Sequence, residues 1–124
     1  MSSAPLVLCA DDDEDILALV SLRLRRAGFE VVTAADGDAA IELAREHRPA
    51  LAVLDVMMPK RTGYEVLEAL RGDAAMSELK VILLSARVQE GDVARGMDAG
   101  ADAYLAKPFK AQELVAKVQE LLGA

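Results

Sequence analysis

The chain has 124 residues, a formal net charge of −7, and 53% hydrophobic but only 3% aromatic residues. That length and hydrophobicity suit one domain with an aliphatic core and exclude a chain disordered by composition. The acidic balance argues against nucleic-acid binding by this chain alone, the single cysteine Cys9 excludes an internal disulfide framework, and no apolar run approaches the ~18 residues of a membrane span. The opening Met1-Ser2-Ser3-Ala4-Pro5 lacks the basic region and apolar stretch of a signal peptide. A soluble, reducing, cytoplasmic setting is expected.

In chain order, short apolar runs alternate with helix-period segments. Strands are expected at 5–10, 30–34, 50–54, 80–85 and 103–106. The first, third and fourth are nearly continuous apolar runs, as in strands covered on both faces. Ile16, Leu17, Val20 and Leu24 recur at helical spacing before Gly28, which supplies a stop. Further helices are expected near 38–47, 64–71 and 91–98, the last weakened by Gly91, Gly96 and Gly100. Leu114, Val115, Val118, Leu121 and Leu122 form one apolar face of a final helix. Five β-α units predict an α/β domain, a doubly wound parallel sheet with helices on both faces.

In such sheets ligands bind beyond the carboxyl ends of the strands, where strand order reverses. Asp11, Asp12 and Asp13 follow the first strand, Asp55 the third, Ser85 the fourth and Lys107 the fifth. Close carboxylates repel unless a cation relieves them. Mg²⁺, for which Mn²⁺ can substitute, suits the set, because it takes one or two carboxylates and keeps sites for water and phosphate oxygens. Asp11, Asp12, Asp55 and the Met57 backbone carbonyl are the expected ligands, with the register among Asp11–Asp13 open by one residue. Beside a metal, Asp55 can attack a phosphoryl group and form an aspartyl phosphate. Lys107, the Ser85 hydroxyl and the Ala86 N–H are placed to receive the phosphoryl oxygens. A cis Lys107-Pro108 bond is expected to aim the lysine inward.

The stretches Val7-Leu8-Cys9-Ala10-Asp11-Asp12-Asp13, Leu54-Asp55-Val56-Met57-Met58-Pro59, Leu83-Leu84-Ser85-Ala86 and Gly100-Ala101-Asp102-Ala103-Tyr104-Leu105-Ala106-Lys107-Pro108-Phe109 resemble the receiver domain of two-component response regulators, in the manner of chemotaxis regulators. The resemblance runs from about residue 5 to residue 122, so residues 1–124 are expected to be a single receiver domain. It implies a flavodoxin-like fold of strand order 2-1-3-4-5, with Asp55 as phosphoacceptor and Asp11 and Asp12 as the acidic metal pair. By the same resemblance Ser85 is the switch hydroxyl, Tyr104 the switch aromatic, and Lys107 the phosphoryl-binding lysine. The implied function is a phosphorelay rather than an enzyme's turnover. A histidine kinase or phosphotransfer protein donates, self-phosphorylation from small donors and slow autodephosphorylation are expected, and the helix 4–strand 5–helix 5 face reads out the state. The downstream partner is an unknown protein or a fused effector, and the oligomeric state is monomer or phosphorylation-linked dimer. Arg87 sits where the family tunes phosphoryl lifetime, and Met57 flanks the path of attacking water.

Departures are small: Glu14 stands where proline is common, and Lys60-Arg61-Thr62 replaces a Gly-X-Asp-type loop. Taken singly, the residues have ordinary readings: Asp13 or Glu14 as a helix cap, Ser85 as a loop cap, Tyr104 as a static aromatic, His47 as a surface residue and Cys9 as an inert buried thiol. Three other functions compete. A haloacid-dehalogenase-type phosphatase expects Thr or Val where residues 14–16 read Glu-Asp-Ile, and an EF-hand needs Gly at Ile16 and Glu at Leu22. A phosphorylation-independent receiver-like scaffold keeps the fold and dispenses with the chemistry.

Overall fold

The computed structural model describes residues 4–86 and 90–123, with the backbone alone at 90–93. Its order is β1 (Leu6–Ala10), α1 (Glu14–Arg26), β2 (Glu30–Ala34), α2 (Gly37–His47), β3 (Leu51–Asp55), α3 (Gly63–Arg71), β4 (Lys80–Ser85), α4 (Glu90–Asp98), β5 (Ala103–Ala106) and α5 (Ala111–Leu122). A short 3₁₀ turn, Ala74–Met76, joins α3 to β4 and has no counterpart among the expected elements. The strands form one parallel sheet in the order β2-β1-β3-β4-β5, as the resemblance implies.

Alternation along the strands divides the interior into two layers. Val7, Cys9, Val53, Ile82 and Leu84 pack with Val20 and Leu24 of α1 and Leu114 and Val118 of α5. On the other face Leu8, Ala10, Leu54, Val81 and Leu83 pack with Ile41 of α2 and Val66, Leu67 and Leu70 of α3. Both faces of the central strands are therefore dry, which explains their uninterrupted apolar sequence. Cys9 is buried among them, and burial, aided by the Asp11 charge against that of Arg25, pushes its thiol up to about 12. Burial thus keeps the thiol in its neutral form.

Local chemistry sets the helix starts. Asp13 caps α1, its carboxylate accepting from the N–H groups of Asp15 and Ile16. Thr62 and Glu65 form a reciprocal capping box at the start of α3. His47 is exposed at the end of α2. Beneath the sheet's other edge, Arg71 ties α3 to the α4–β5 turn: it donates twice to the Gly100 carbonyl, at 3.0 and 2.7 Å, and also to Leu79 and to Asp102. Asp102 in turn accepts from the Val81 N–H at 2.8 Å. Among the described residues no helix is long and apolar enough to cross a membrane.

Candidate functional site

Strand order reverses between β2-β1 and β3-β4-β5, so the crevice lies at the carboxyl ends of β1 and β3. Parallel pairing matches Ala10 with Leu54, which sets the next residues, Asp11 and Asp55, side by side. Pairing of Ser85 with Ala106 likewise puts Lys107 one step beyond the β4 end, where its N–H donates to the Ser85 carbonyl at 2.8 Å. The Lys107–Pro108 bond is cis, as expected. Four strand ends thus bring the candidate groups to one edge.

Asp11 and Asp55 are 1% and 4% exposed, and one oxygen from each of Asp11, Asp12 and Asp55 can lie within 4.8 Å of the others. The Lys107 ammonium reaches between the two buried acids, 2.8 Å from Asp11 Oδ2 and 3.3 Å from Asp55 Oδ2. Burial first, and then the neighbouring Asp11 charge, push the Asp55 carboxyl up to about 6, although Lys107 and the Met57 N–H draw it down. Burial works against the Lys107 charge, but the Asp11 hydrogen bond and the charges of both acids outweigh it and raise its pKa. The ammonium therefore stays charged. Asp12 is exposed and projects at the mouth of the crevice.

Geometry also separates the three aspartates by task. Asp13 is engaged as the α1 cap, and its own N–H donates to Asp11 Oδ1 at 3.0 Å. Asp11 and Asp12 remain with Asp55 in the cluster, which is compatible with a Mg²⁺ ion: three carboxylates facing an open mouth with one lysine are short of positive charge. The Met57 N–H donates to Asp55 Oδ1 at 3.4 Å, while the Met57 side chain is 71% exposed beside the crevice. Ser85 is 4% exposed at the end of β4, and Ala86 follows it at the surface. Arg87 lies outside the described residues.

Tyr104 is not part of the acidic cluster. It lies half-buried on β5, with its hydroxyl 3.3 Å from that of Tyr64 on α3. Tyr64 was missed by sequence reasoning, as was Arg95, which stacks over its ring. The one available signal was scarcity, since Tyr64 and Tyr104 are the two tyrosines of the chain. The Lys60-Arg61-Thr62 departure is absorbed locally: Lys60 adopts a positive φ of 69°, Arg61 pairs with Asp38 at 2.7 Å, and Thr62 caps α3.

Residues 7–119 match the family described as the response regulator receiver domain. The transcriptional regulatory protein PrrA of Mycobacterium tuberculosis is 48% identical over 120 residues, which are 97% of this chain and 51% of PrrA. The alkaline phosphatase synthesis transcriptional regulatory protein PhoP of Bacillus subtilis is 40% identical over 94% of this chain and 48% of its own. The chain thus spans about half the length of these curated relatives. Among solved structures, the chemotaxis protein CheY4 of Vibrio cholerae superposes with a TM-score of 0.91 at 33% identity, covering 96% of this chain and 99% of that one. A Francisella response regulator receiver domain gives 0.90 at 34% identity, covering 96% and 97%. Motifs, fold, crevice and relatives converge: this chain belongs to the receiver domains of two-component response regulators, a signalling family rather than an enzyme family.

Proposed function

We propose that Asp55 is the phosphoacceptor of this receiver domain and that residues 1–124 form a single such domain working in the cytoplasm. The observation that carries the reading is the Lys107 ammonium bridging two buried carboxylates at the strand-order reversal. In transfer, an Asp55 oxygen attacks the phosphorus of a phosphohistidine on a kinase or phosphotransfer protein, or of an acyl phosphate. The P–N or P–O bond breaks, and the leaving group keeps the electron pair. Lys107 pairs with the equatorial oxygens of the incoming group, and the Ser85 hydroxyl and Ala86 N–H donate to them. Asp11, Asp12, Asp55 and the Met57 carbonyl would hold a divalent cation. When bound, Mg²⁺ (or Mn²⁺) would supply charge neutralisation and Lewis acidity.

Slow autodephosphorylation follows by attack of water on phosphorus, with the Asp55 carboxylate as leaving group. The Met57 side chain, exposed beside the crevice, obstructs that water. A dianion on Asp55 draws Ser85 toward it and favours one packing of Tyr104, and the α4–β5–α5 face presents the result to a downstream protein or a fused effector. The test is intact mass after incubation with acetyl phosphate and Mg²⁺, for wild type and Asp55→Asn. One Mg²⁺-dependent phosphoryl adduct on wild type alone supports the reading. No adduct from several donors favours a phosphorylation-independent scaffold.

A further inference from the structure

Tyr64 and Tyr104 are 40 positions apart, yet their hydroxyls meet at 3.3 Å. Each ring is held by a separate part of the fold. Tyr64 lies in the first turn of α3, next to Gly63, where a Cβ would come 2.6 Å from the Asp55 carbonyl oxygen. The start of α3 is therefore pressed directly onto the peptide of the phosphoacceptor. The buried Tyr64 ring also carries the Arg95 guanidinium of α4 at 4.3 Å from its centroid, within cation–π range.

Tyr104 packs inward against the core layer that includes Leu83. Its ring passes over Gly96 of α4, where a Cβ would lie 3.0 Å from Tyr104 Cδ2. A cleft of about 310 Å³, lined by both tyrosines, Arg95, Met57, Ser85 and Ala86, runs from this contact to the end of β4. An outward rotation of Tyr104 would withdraw its ring from Gly96 and its hydroxyl from Tyr64.

We propose that Tyr64, braced by Arg95, is a positioning residue that holds Tyr104 in its inward packing and so favours the conformation that retains a phosphoryl group on Asp55. The inference rests on the phosphoacceptor reading above and adds α3 to the switch. The physical basis is a population shift: a contact made in one packing alone raises the apparent affinity of any ligand that selects that packing. The hydroxyl pair is long for an O–H···O bond, so its net effect falls at the lower end of the usual range.

The test uses beryllium fluoride with Mg²⁺ as the phosphoryl mimic. Tyr64→Phe removes one hydroxyl and keeps both the ring and its stack with Arg95. The expected result is mimic binding weaker by up to about twofold. In a Tyr104→Phe background, Tyr64→Phe should have a smaller effect, because the bond between the two hydroxyls is already gone. In the Tyr64→Phe protein Tyr104 is the sole tyrosine, and its ring NMR signals should move toward those of a solvent-exposed ring. A purely structural Tyr64 would lower the urea midpoint and leave mimic affinity unchanged, which would overturn the inference. Equal effects of Tyr64→Phe with and without the Tyr104 hydroxyl would overturn it as well. Wild type failing to bind the mimic at all would instead overturn the phosphoacceptor reading, and the inference with it.

Discussion

Asp11 and Lys107, 96 positions apart in sequence, are joined by a 2.8 Å hydrogen bond at the heart of the crevice. The bond spans the sheet from the end of β1 to the end of β5, and the same ammonium stands 3.3 Å from Asp55 Oδ2. Lys107→Met should therefore do more than slow phosphorylation. It leaves two buried carboxylates facing each other without a cation, which costs about 3 kcal/mol or more at neutral pH. Asp55 should then titrate above the value of about 6 it has beside Lys107. Urea unfolding at pH 5 and pH 7.5 checks this: the loss should be large at the higher pH and shrink at the lower, where Asp55 takes up a proton.

The raised Asp55 carboxyl carries its own stability signature. Its pKa climbs from 3.8 to about 6 on folding, chiefly through burial and then through Asp11. Between those values the folded state binds more protons than the unfolded one, so stability falls as pH rises through the window. Metal-free Asp55→Asn lacks this loss. It should be more stable than wild type at pH 7.5, by on the order of 2 kcal/mol, and close to wild type near pH 4. Paired denaturation curves at the two pH values measure the difference; an Asn variant less stable at pH 7.5 would contradict the assigned burial.

Metal addition should narrow that difference. An ion held by Asp11, Asp12 and Asp55 stabilises the folded chain by RT ln(1 + [L]/Kd), or about 1.4 kcal/mol at tenfold excess over Kd. Mg²⁺ should therefore raise the wild-type Tm by several degrees. Asp12→Asn should lose most of the shift while leaving the metal-free Tm nearly unchanged, because Asp12 is exposed and the Asp11–Lys107 bond stays in place. Thermal melts with and without Mg²⁺ decide it, and an undiminished shift in Asp12→Asn would remove that residue from the ligand set.

Gly96→Ala gives a case in which helix propensity and packing disagree. In an exposed helix interior the change stabilises by up to about 1 kcal/mol. Here the new methyl would sit 2.9 Å from Leu83 Cδ1 and 3.0 Å from the Tyr104 ring. Overpacking of that kind costs about 1–3 kcal/mol, so destabilisation should win, with Tyr104 displaced. Urea midpoints, together with the NMR signals of the two tyrosine rings, would show both effects.

The sheet and the acid–lysine constellation were legible in the sequence for a common reason. Strands buried on both faces must be apolar throughout, so the charged residues that interrupt them at Asp11, Asp55 and Lys107 mark where the chain leaves the core. Strands 30–34, 80–85 and 103–106 were read with the bounds they have in the structure, β1 starts one residue later than expected, and β3 is shifted by one residue to include Asp55. Helix α4 looked weak because Gly96 interrupts its pattern, yet that glycine is the surface on which Tyr104 lies. Such a requirement depends on a residue of another element and leaves no local trace. The Tyr64–Tyr104 and Arg71–Gly100 ties are of the same kind, each joining α3 to distant chain. The register of the three aspartates was likewise undecided by pattern, because all three residue types are identical; the side-chain cap at α1 separates Asp13 from the other two.

The central claim is that the phosphoryl group resides on Asp55, and the most direct test is to locate it chemically. The protein would be phosphorylated with acetyl phosphate and Mg²⁺, reduced with borohydride to convert the acyl phosphate to homoserine, and digested for peptide sequencing by mass spectrometry. Homoserine at position 55 and at no other aspartate is the predicted result. Homoserine at position 11, 12 or 13, with Asp55 intact, would contradict the account.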